Sequence, residues 1–238
     1  MRKILFVILF FTAPSFAQND ADEFGKFNNF NTAVLSGNIK KEEAVKQFDT
    51  LIKTAAHYIA TRKQIEIEKQ PWIFPLKGYN YRAIGGTNGN GYYDKGYKYL
   101  DGNRHLAHPA HDIFINDKNQ DCLDDKTHQP VSVLAVKNGI VIACTNEWEP
   151  ASNLRGGKYI WIYHQDGTIT YYAHNRAIFV SPGQWVKQGE KIAEVGRSGY
   201  NAYKKRSPTH LHFSAFRLIN GLPVPYNCYA QLKTASKS

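Results

Sequence analysis

From Pro71 to its last residue, the chain consists mostly of short runs of β-branched and aromatic residues that turn residues separate. Tyr159–Tyr163 and Thr168–Tyr172 flank Gln165-Asp166-Gly167, a pattern that predicts a β-hairpin. The other runs of this kind cover residues 131–136, 139–143, 186–195 and 210–218. No helical pattern lies between these runs, so the sequence predicts an antiparallel β-sandwich or barrel rather than a parallel α/β fold.

The residues before Pro71 have a different character. Residues 41–62 show helical spacing, with one apolar stripe formed by Ala44, Phe48, Leu51, Ile52, Ala55 and Ile59. Residues 18–30 are polar, and we expect them to be loose, with room for a short helix at 30–35. We therefore predict a mainly β fold in residues 71–238 with a small helical N-terminal region at 18–70.

The first 17 residues have the layout of a cleavable signal peptide. Arg2 and Lys3 precede ten apolar residues, Ile4–Ala13, and a small residue stands at Ala17. Ten residues are too few to cross a bilayer, which takes about 20, so a membrane anchor is the weaker interpretation. We expect a secreted or periplasmic chain that begins near Gln18 and has no membrane span.

The charge of the chain points to an anionic partner. The net charge is +10 at pH 7, and it falls to +8 without residues 1–17, which carry Arg2, Lys3 and no acid. A basic exported protein is attracted to polyanions, and the cell envelope fits better than nucleic acid in that compartment.

The three cysteines do not form a zinc-thiolate motif. Cys122, Cys144 and Cys228 are widely spaced and include no CxxC pair. In an oxidising compartment two of them could form a disulfide, but the sequence does not say which two.

Histidines and an aspartate form a candidate metal site. His210 and His212 lie two apart in a predicted strand, so their side chains point to one face. In a straight strand His108 and Asp112 would lie about 13 Å apart, but Pro109 indicates a bend that could bring them together. Two imidazoles and one carboxylate, from His108, Asp112 and His212, would leave a fourth position open, which is typical of catalytic zinc.

A general base for such a site has to be another histidine, because the chain has no HExxH motif. The candidates are His210 and His174, which ends the second hairpin strand. His111 neighbours Asp112 and is expected on the opposite face, while His105 lies close in sequence without an assigned role.

The order of these motifs resembles the M23 (lysostaphin/LytM-type) murein endopeptidases. Their HxxxD, YxH and HxH signatures correspond to His108–Asp112, Tyr172–His174 and His210–His212. Residues 130–141, 186–196 and 209–213 resemble connecting motifs of the family, and the similarity spans about residues 72–220. The departures are Ala110 in place of a frequent glycine, Thr209 in place of a common proline, and an acidic insertion at 116–129.

The resemblance implies an antiparallel β-sandwich with a groove over one zinc ion held by His108, Asp112 and His212. It implies that His174 and His210 position water, transfer protons and stabilise the oxyanion. The implied activity is a zinc metalloendopeptidase that hydrolyses peptide cross-bridges of peptidoglycan, and we expect a monomer.

Three other functions stay open. The first is a non-catalytic murein-binding regulator of another wall hydrolase, although relatives with that role usually have broken metal motifs. The second is a secreted peptidase that cleaves glycine-rich proteins, and the third is a metal store or sensor.

Two further segments have weaker assignments. In the segment 196–201, which precedes the last motif, the backbone or Arg197 could hold a substrate carboxylate. The glycine-rich residues 85–91 lack GxGxxG and the Walker lysine, and we expect a loop over the groove rather than a phosphate site.

Overall fold

The computed structural model describes residues 16–61, 71–102 and 106–237. The apolar run Ile4–Ala13 and His105 lie outside these ranges, so the predicted signal peptide is not tested. Within the three ranges, no helix has the length and apolar character needed to cross a bilayer.

The N-terminal region forms two helices, α1 (Phe16–Ser36) and α2 (Lys41–Thr61). Their apolar stripes belong to one hydrophobic cluster. The prediction for α2 is confirmed, and the residues that it buries are Ala44, Phe48, Ile52, Ala55 and Ile59. The expectation that residues 18–30 are loose is wrong. Helix α1 buries Phe24, Phe27, Phe30 and Val34, whose spacings of three and four residues are helical. The many polar residues between them concealed this stripe.

The rest of the described chain is mainly β-strand, as predicted. The strands are β1 (His111–Phe114), β2 (Ser132–Leu134), β3 (Gly139–Thr145), β4 (Lys158–His164), β5 (Ile169–Ile178), β6 (Trp185–Val186), β7 (Lys191–Val195), β8 (His210–Ile219) and β9 (Leu222–Pro225). A short helix, α3 (Tyr229–Thr234), follows them. The predicted hairpin is formed by β4 and β5, and Gly167 in its turn has a φ of 78°, which glycine adopts without steric cost.

All strand pairs within this network are antiparallel. The main sheet has the order β1-β8-β5-β4-β3-β6, and β9 extends the far half of β8. Besides its ladder with β4, the long strand β5 forms two more: its first half pairs with β8, and its second half pairs with β7, which in turn pairs with β2. Strands β2 and β7 therefore form a second layer that stays connected to the main sheet.

Each face of the main sheet has its own core. On one face, alternate residues such as Ile160 and Ile162 of β4 pack with Val133 of β2 and Ile192 of β7. On the other face, Tyr159, Trp161 and Tyr163 pack with the apolar stripes of α1 and α2. Because side chains alternate along β4, one face of the strand packs against β2 and β7, and the other face packs against α1 and α2.

Candidate metal centre

Strand pairing places Asp112 beside His212. In the ladder between β1 and β8, Asp112 is the register partner of His212, and His212 also faces Ala173 of β5. The Oδ1 atom of Asp112 lies 3.1 Å from Nδ1 of His212. The neighbouring pair Ile113 and Leu211 is fully buried in the core, so the two polar side chains are held on the other face.

A tight turn brings His108 to the same point. The Ala110 N–H donates to the His108 carbonyl across Pro109, at 2.8 Å, and His108 forms an isolated antiparallel bridge with Tyr93. As a result Nε2 of His108 lies 3.2 Å from Oδ1 of Asp112. The bend that Pro109 predicts is therefore present, and it brings the side chains of His108 and Asp112 together.

Main-chain carbonyls fix the orientation of three histidine rings. The Nδ1–H groups of His108, His174 and His210 donate to the carbonyls of Gly91 (3.0 Å), Ser198 (2.8 Å) and Pro208 (2.7 Å) respectively. In its neutral form each ring then has its lone pair on Nε2, which is the arrangement that carbonyl partners impose on metal-binding and catalytic histidines.

His174 and His210 lie next to the triad. Their ring centroids are 4.9 Å apart, and the centroid of His174 is 5.4 Å from that of His212. Nε2 of His210 is 3.7 Å from Oδ1 of Asp112. The φ of His174 is 67°, a left-handed conformation that is uncommon outside glycine and tends to occur at functional sites.

Burial and contacts within the cluster shift the pKa values of Asp112, His108 and His174. Burial raises the pKa of Asp112, but hydrogen bonds from His108 and His212 outweigh this effect and hold its pKa well below the usual range. Burial lowers the pKa of His108, but Asp112 more than compensates, and the pKa of His108 is raised. Burial and the neighbouring His210 and His212 lower the pKa of His174 well below its ordinary value. Asp112 is therefore an anion and His174 a neutral base at pH 7.

These donors fit a zinc ion. One ligand atom from each of His108, Asp112 and His212 lies within 4.8 Å of the other two. With ligand bonds of about 2.0–2.2 Å, tetrahedral coordination separates two donors by about 3.3 Å. The 3.2 Å and 3.1 Å separations from Asp112 agree with that geometry.

The glycine-rich loop at residues 85–91 supports the centre. Its Gly85 N–H donates to the Asp112 carbonyl at 2.9 Å, and its Gly91 carbonyl accepts from His108. A side chain at Gly85 would collide with the ring of Phe114. The loop thus contacts two of the three candidate ligands.

Arg197 does not have the predicted role of a substrate anchor. Its guanidinium donates to the carbonyls of Ser207 (2.5 Å) and Lys204 (3.0 Å) and to Oγ1 of Thr209 (3.3 Å). The Thr209 hydroxyl donates in turn to Asp117 of the acidic insertion at 2.6 Å. These two side chains brace the segment that leads into His210.

The remaining histidines lie in other surroundings. Nε2 of His111 is 3.0 Å from Oδ1 of Asn227, and His164 is fully buried between Thr170 and the Asn138 carbonyl. His57 is exposed on α2, and His128 lies in the insertion.

All three cysteines are free thiols, so the disulfide that the sequence allowed is not formed.

Sequence reasoning missed the wall of the pocket beside the triad. A cavity of about 250 Å³ adjoins His108, Asp112 and His212 and is lined also by Arg155, Trp161 and Tyr171. The sequence predicted that Trp161 and Tyr171 lie in the strands of the hairpin, but not that they line the pocket. Arg155 precedes the hairpin, in a Leu-Arg-Gly-Gly turn that has no catalytic motif.

The family model of Peptidase family M23 matches residues 119–225. This part of the chain is similar to M23 peptidases. The match to the M23 model contains His174, His210 and His212, and it begins after His108 and Asp112.

Two similar proteins are named for lipoproteins or murein. A Pseudomonas aeruginosa protein called lipoprotein NlpD/LppB homolog is 38% identical over 93 residues, which are 39% of this chain and 27% of that protein. The murein hydrolase activator NlpD of Escherichia coli is 37% identical over 83 residues, 34% of this chain and 19% of that protein. The alignments thus span less than a third of either relative.

A solved peptidase structure is also similar. The catalytic domain of the antimicrobial peptidase lysostaphin from Staphylococcus simulans has 23% sequence identity and a TM-score of 0.40, over 75% of this chain and 98% of that one.

Proposed function

We propose that this protein is a zinc-dependent endopeptidase that hydrolyses peptide cross-bridges of bacterial peptidoglycan. The observation that carries the proposal is the cluster of donor atoms from His108, Asp112 and His212, with two further histidines beside it. A structural zinc site would use four protein ligands, whereas three protein ligands leave a position for solvent. We further propose that the protein acts in the cell envelope, as a secreted or periplasmic monomer.

The three donors would hold one ion through Nε2 of His108, Oδ1 of Asp112 and Nδ1 of His212. A bound zinc ion would supply a Lewis acid for the scissile carbonyl and lower the pKa of a coordinated water to about 7. The anionic Asp112 offsets part of the charge of the ion. The Gly91 carbonyl keeps the His108 ring in the tautomer that can donate a lone pair from Nε2.

His174 and His210 would transfer protons. Their Nδ1–H groups are engaged by the Ser198 and Pro208 carbonyls, so Nε2 is the only free ring nitrogen of each. In the proposed reaction, one Nε2 accepts the proton of the attacking water and later delivers it to the leaving amine. While it holds that proton, the positively charged ring also stabilises the negative charge on the carbonyl oxygen.

Mass analysis of digested murein tests the proposal. Zinc-loaded wild-type protein should release new peptide termini from purified peptidoglycan, whereas His210→Ala should release about 10²- to 10⁴-fold less. His57→Ala, which changes an exposed histidine on α2, is the matched control and should behave as wild type. A zinc-loaded wild type that releases no new termini would refute the endopeptidase function.

The alternative is a non-catalytic regulator of another wall hydrolase. It is supported by the similarity to the Escherichia coli protein named murein hydrolase activator. A regulator should release no termini alone and should increase the rate of a second, added wall hydrolase. The same increase should persist with His210→Ala, which distinguishes this function from catalysis.

A secreted peptidase for glycine-rich proteins uses the same residues on a different substrate. Comparing pentaglycine peptides with murein fragments separates the two substrates, because the proposed function requires faster hydrolysis of the murein fragments.

A further inference from the structure

The acidic insertion at residues 116–129 reaches the segment of chain that leads into β8. Asp117 is 7% exposed, and its Oδ2 atom accepts from the Thr209 hydroxyl at 2.6 Å. The same carboxylate accepts from the Asp121 N–H at 3.1 Å and from the Cys122 N–H at 2.9 Å. Thr209 is itself buried, with 1% of its surface exposed. The carboxylate therefore ties the backbone of the insertion to a buried hydroxyl at the entry to β8.

Two more side chains hold the residues that precede Thr209. Gln120, which also belongs to the insertion, donates from Nε2 to the Lys205 carbonyl at 2.9 Å. Arg197 donates from Nη1 to the Ser207 carbonyl at 2.5 Å and to the Thr209 hydroxyl oxygen at 3.3 Å. Both neighbours of the intervening proline are thus held, Ser207 through its carbonyl and Thr209 through its hydroxyl.

The carbonyl of this proline, Pro208, orients the imidazole of His210. The Nδ1–H of the ring donates to that carbonyl at 2.7 Å, and His210 is 6% exposed. Such a hydrogen bond decides which nitrogen of a neutral imidazole carries the proton. The proline ring fixes its own φ, and both of its neighbours are held, so the direction of the carbonyl has little freedom. The tautomer and tilt of His210 therefore depend on the contacts of Asp117, Gln120 and Arg197.

We propose that Asp117 is a positioning residue that orients the ring of His210 through Thr209 and the Pro208 carbonyl. The inference rests on the proposed peptidase function, in which His210 transfers a proton at Nε2. A group that transfers a proton has to lie within hydrogen-bond reach of its partner, about 2.6–3.2 Å, so a loosely held ring is less often in a reactive position. Among the described residues that line the cavity, none belongs to the insertion. Asp117 therefore acts on the site from behind it and does not contact the substrate.

Nuclear magnetic resonance of isotope-labelled histidine side chains observes the ring directly. The spectra are recorded with zinc-loaded protein at about pH 8.5, where the imidazole of free histidine is mostly neutral. We expect wild-type His210 to carry its proton on Nδ1, as the bond to the Pro208 carbonyl requires. Asp117→Ala removes the acceptor of the Thr209 hydroxyl, and we expect a mixture of Nδ1–H and Nε2–H forms. The loss of signals in His210→Gln assigns them to this residue.

Steady-state hydrolysis of murein peptides gives the second readout. Asp117→Ala should lower kcat about 10- to 100-fold and leave KM within about twofold, because the proton-transfer group is displaced and substrate contacts are kept. It should still bind one zinc ion per chain. Thr209→Val should act in the same way, and Thr209→Ser, which keeps the hydroxyl, should recover most of kcat and the Nδ1–H form. If Asp117→Ala does not fold, the two Thr209 variants carry the test.

The matched control is Asp125→Asn, at a carboxylate of the same insertion that accepts from the Lys118 N–H, and it should behave as wild type. The inference is overturned if Asp117→Ala and Thr209→Val keep either the wild-type ring form or the wild-type kcat. It is overturned as well if the control changes both readouts to the same extent. A wild type that hydrolyses no murein peptide would instead refute the peptidase function, and the ring signals would still decide whether Asp117 orients His210.

Discussion

The Oδ1 atom of Asp112 lies 3.1 Å from Nδ1 of His212, although 100 residues separate the two along the chain. Strand pairing closes this distance, because the two residues face each other across β1 and β8. The flanking pairs Ile113–Leu211 and His111–Phe213 fix the register, with Ile113, Leu211 and Phe213 fully buried. A shift of either strand by one residue would turn the polar side chain of that strand into the apolar core. The geometry of the metal centre is therefore tied to the stability of this ladder.

Replacing Asp112 should remove zinc binding without unfolding the protein. Asp112→Asn keeps the shape of the side chain but removes its charge, and we expect zinc affinity to fall by more than about 100-fold, since loss of an outer partner alone costs about 10- to 100-fold. Competition with a chelator measures the affinity. The control Asp94→Asn, at an exposed carboxylate near Tyr92, should bind zinc as wild type does. Unchanged affinity in Asp112→Asn would exclude this residue as a ligand.

His174 should be needed for hydrolysis but not for zinc binding. His174→Ala should retain one zinc per chain and hydrolyse murein peptides about 10²- to 10⁴-fold more slowly, because a proton-transfer group is lost. Zinc content and initial rates check the two parts. A rate within threefold of wild type would remove His174 from the proposed mechanism.

Thr209 should stabilise the entry to β8 through its hydroxyl. Thr209→Val leaves the buried carboxylate of Asp117 without one of its donors, and we expect a loss of about 1.5–3 kcal/mol in the free energy of unfolding. Thr209→Ser should recover most of it, as measured by urea denaturation. Equal stabilities of the Val and Ser variants would contradict a role for the hydroxyl.

Gly156 should be coupled to Tyr171. In Gly156→Ala the new methyl group meets the Tyr171 hydroxyl, and overpacking of this kind costs about 1–3 kcal/mol. Tyr171→Phe removes that oxygen, so the double variant should be more stable than Gly156→Ala alone. A thermodynamic cycle of the four proteins gives the coupling, and additive effects would show that the turn does not rest on this hydroxyl.

His164 should make the protein sensitive to acid. Burial lowers its pKa from 6.5 to about 4, so below pH 6.5 the unfolded state binds a proton that the folded state does not. This linkage reduces stability as the pH falls from about 6.5 to about 4, by roughly 3 kcal/mol in total, and has no effect above that window. His164→Gln should show a shallower decline when unfolding is measured by denaturant at several pH values. Parallel curves for wild type and variant would contradict the assignment.

Local patterns in the sequence predicted several elements correctly. Helix α2 and the β4–β5 hairpin follow from periodicities of 3.6 and 2 residues and from a turn at Asp166-Gly167, all of which act between neighbours in the chain. The same kind of pattern was present in α1, but the polar residues between Phe24, Phe27 and Phe30 outweighed it in our interpretation. The spacing of His210 and His212, and the bend at Pro109, also belong to this local class.

Contacts between distant segments could not be predicted in this way. The carbonyls of Gly91, Ser198 and Pro208 that orient three histidines are backbone groups, which carry no signature in the sequence. For the same reason the sequence did not show where Arg197 and Arg155 lie: only the packing of the turns directs the Arg197 guanidinium to carbonyls and places Arg155 in the wall of the cavity.

The sequence by itself thus determined the alternation of strands, the second helix and the residue types able to bind a metal ion, because these depend on short-range periodicity and on side-chain chemistry. Only the tertiary structure decided the register of β1 against β8, the ring orientations of the histidines and the lining of the cavity, because each of these depends on which distant backbone groups become neighbours when the two cores pack.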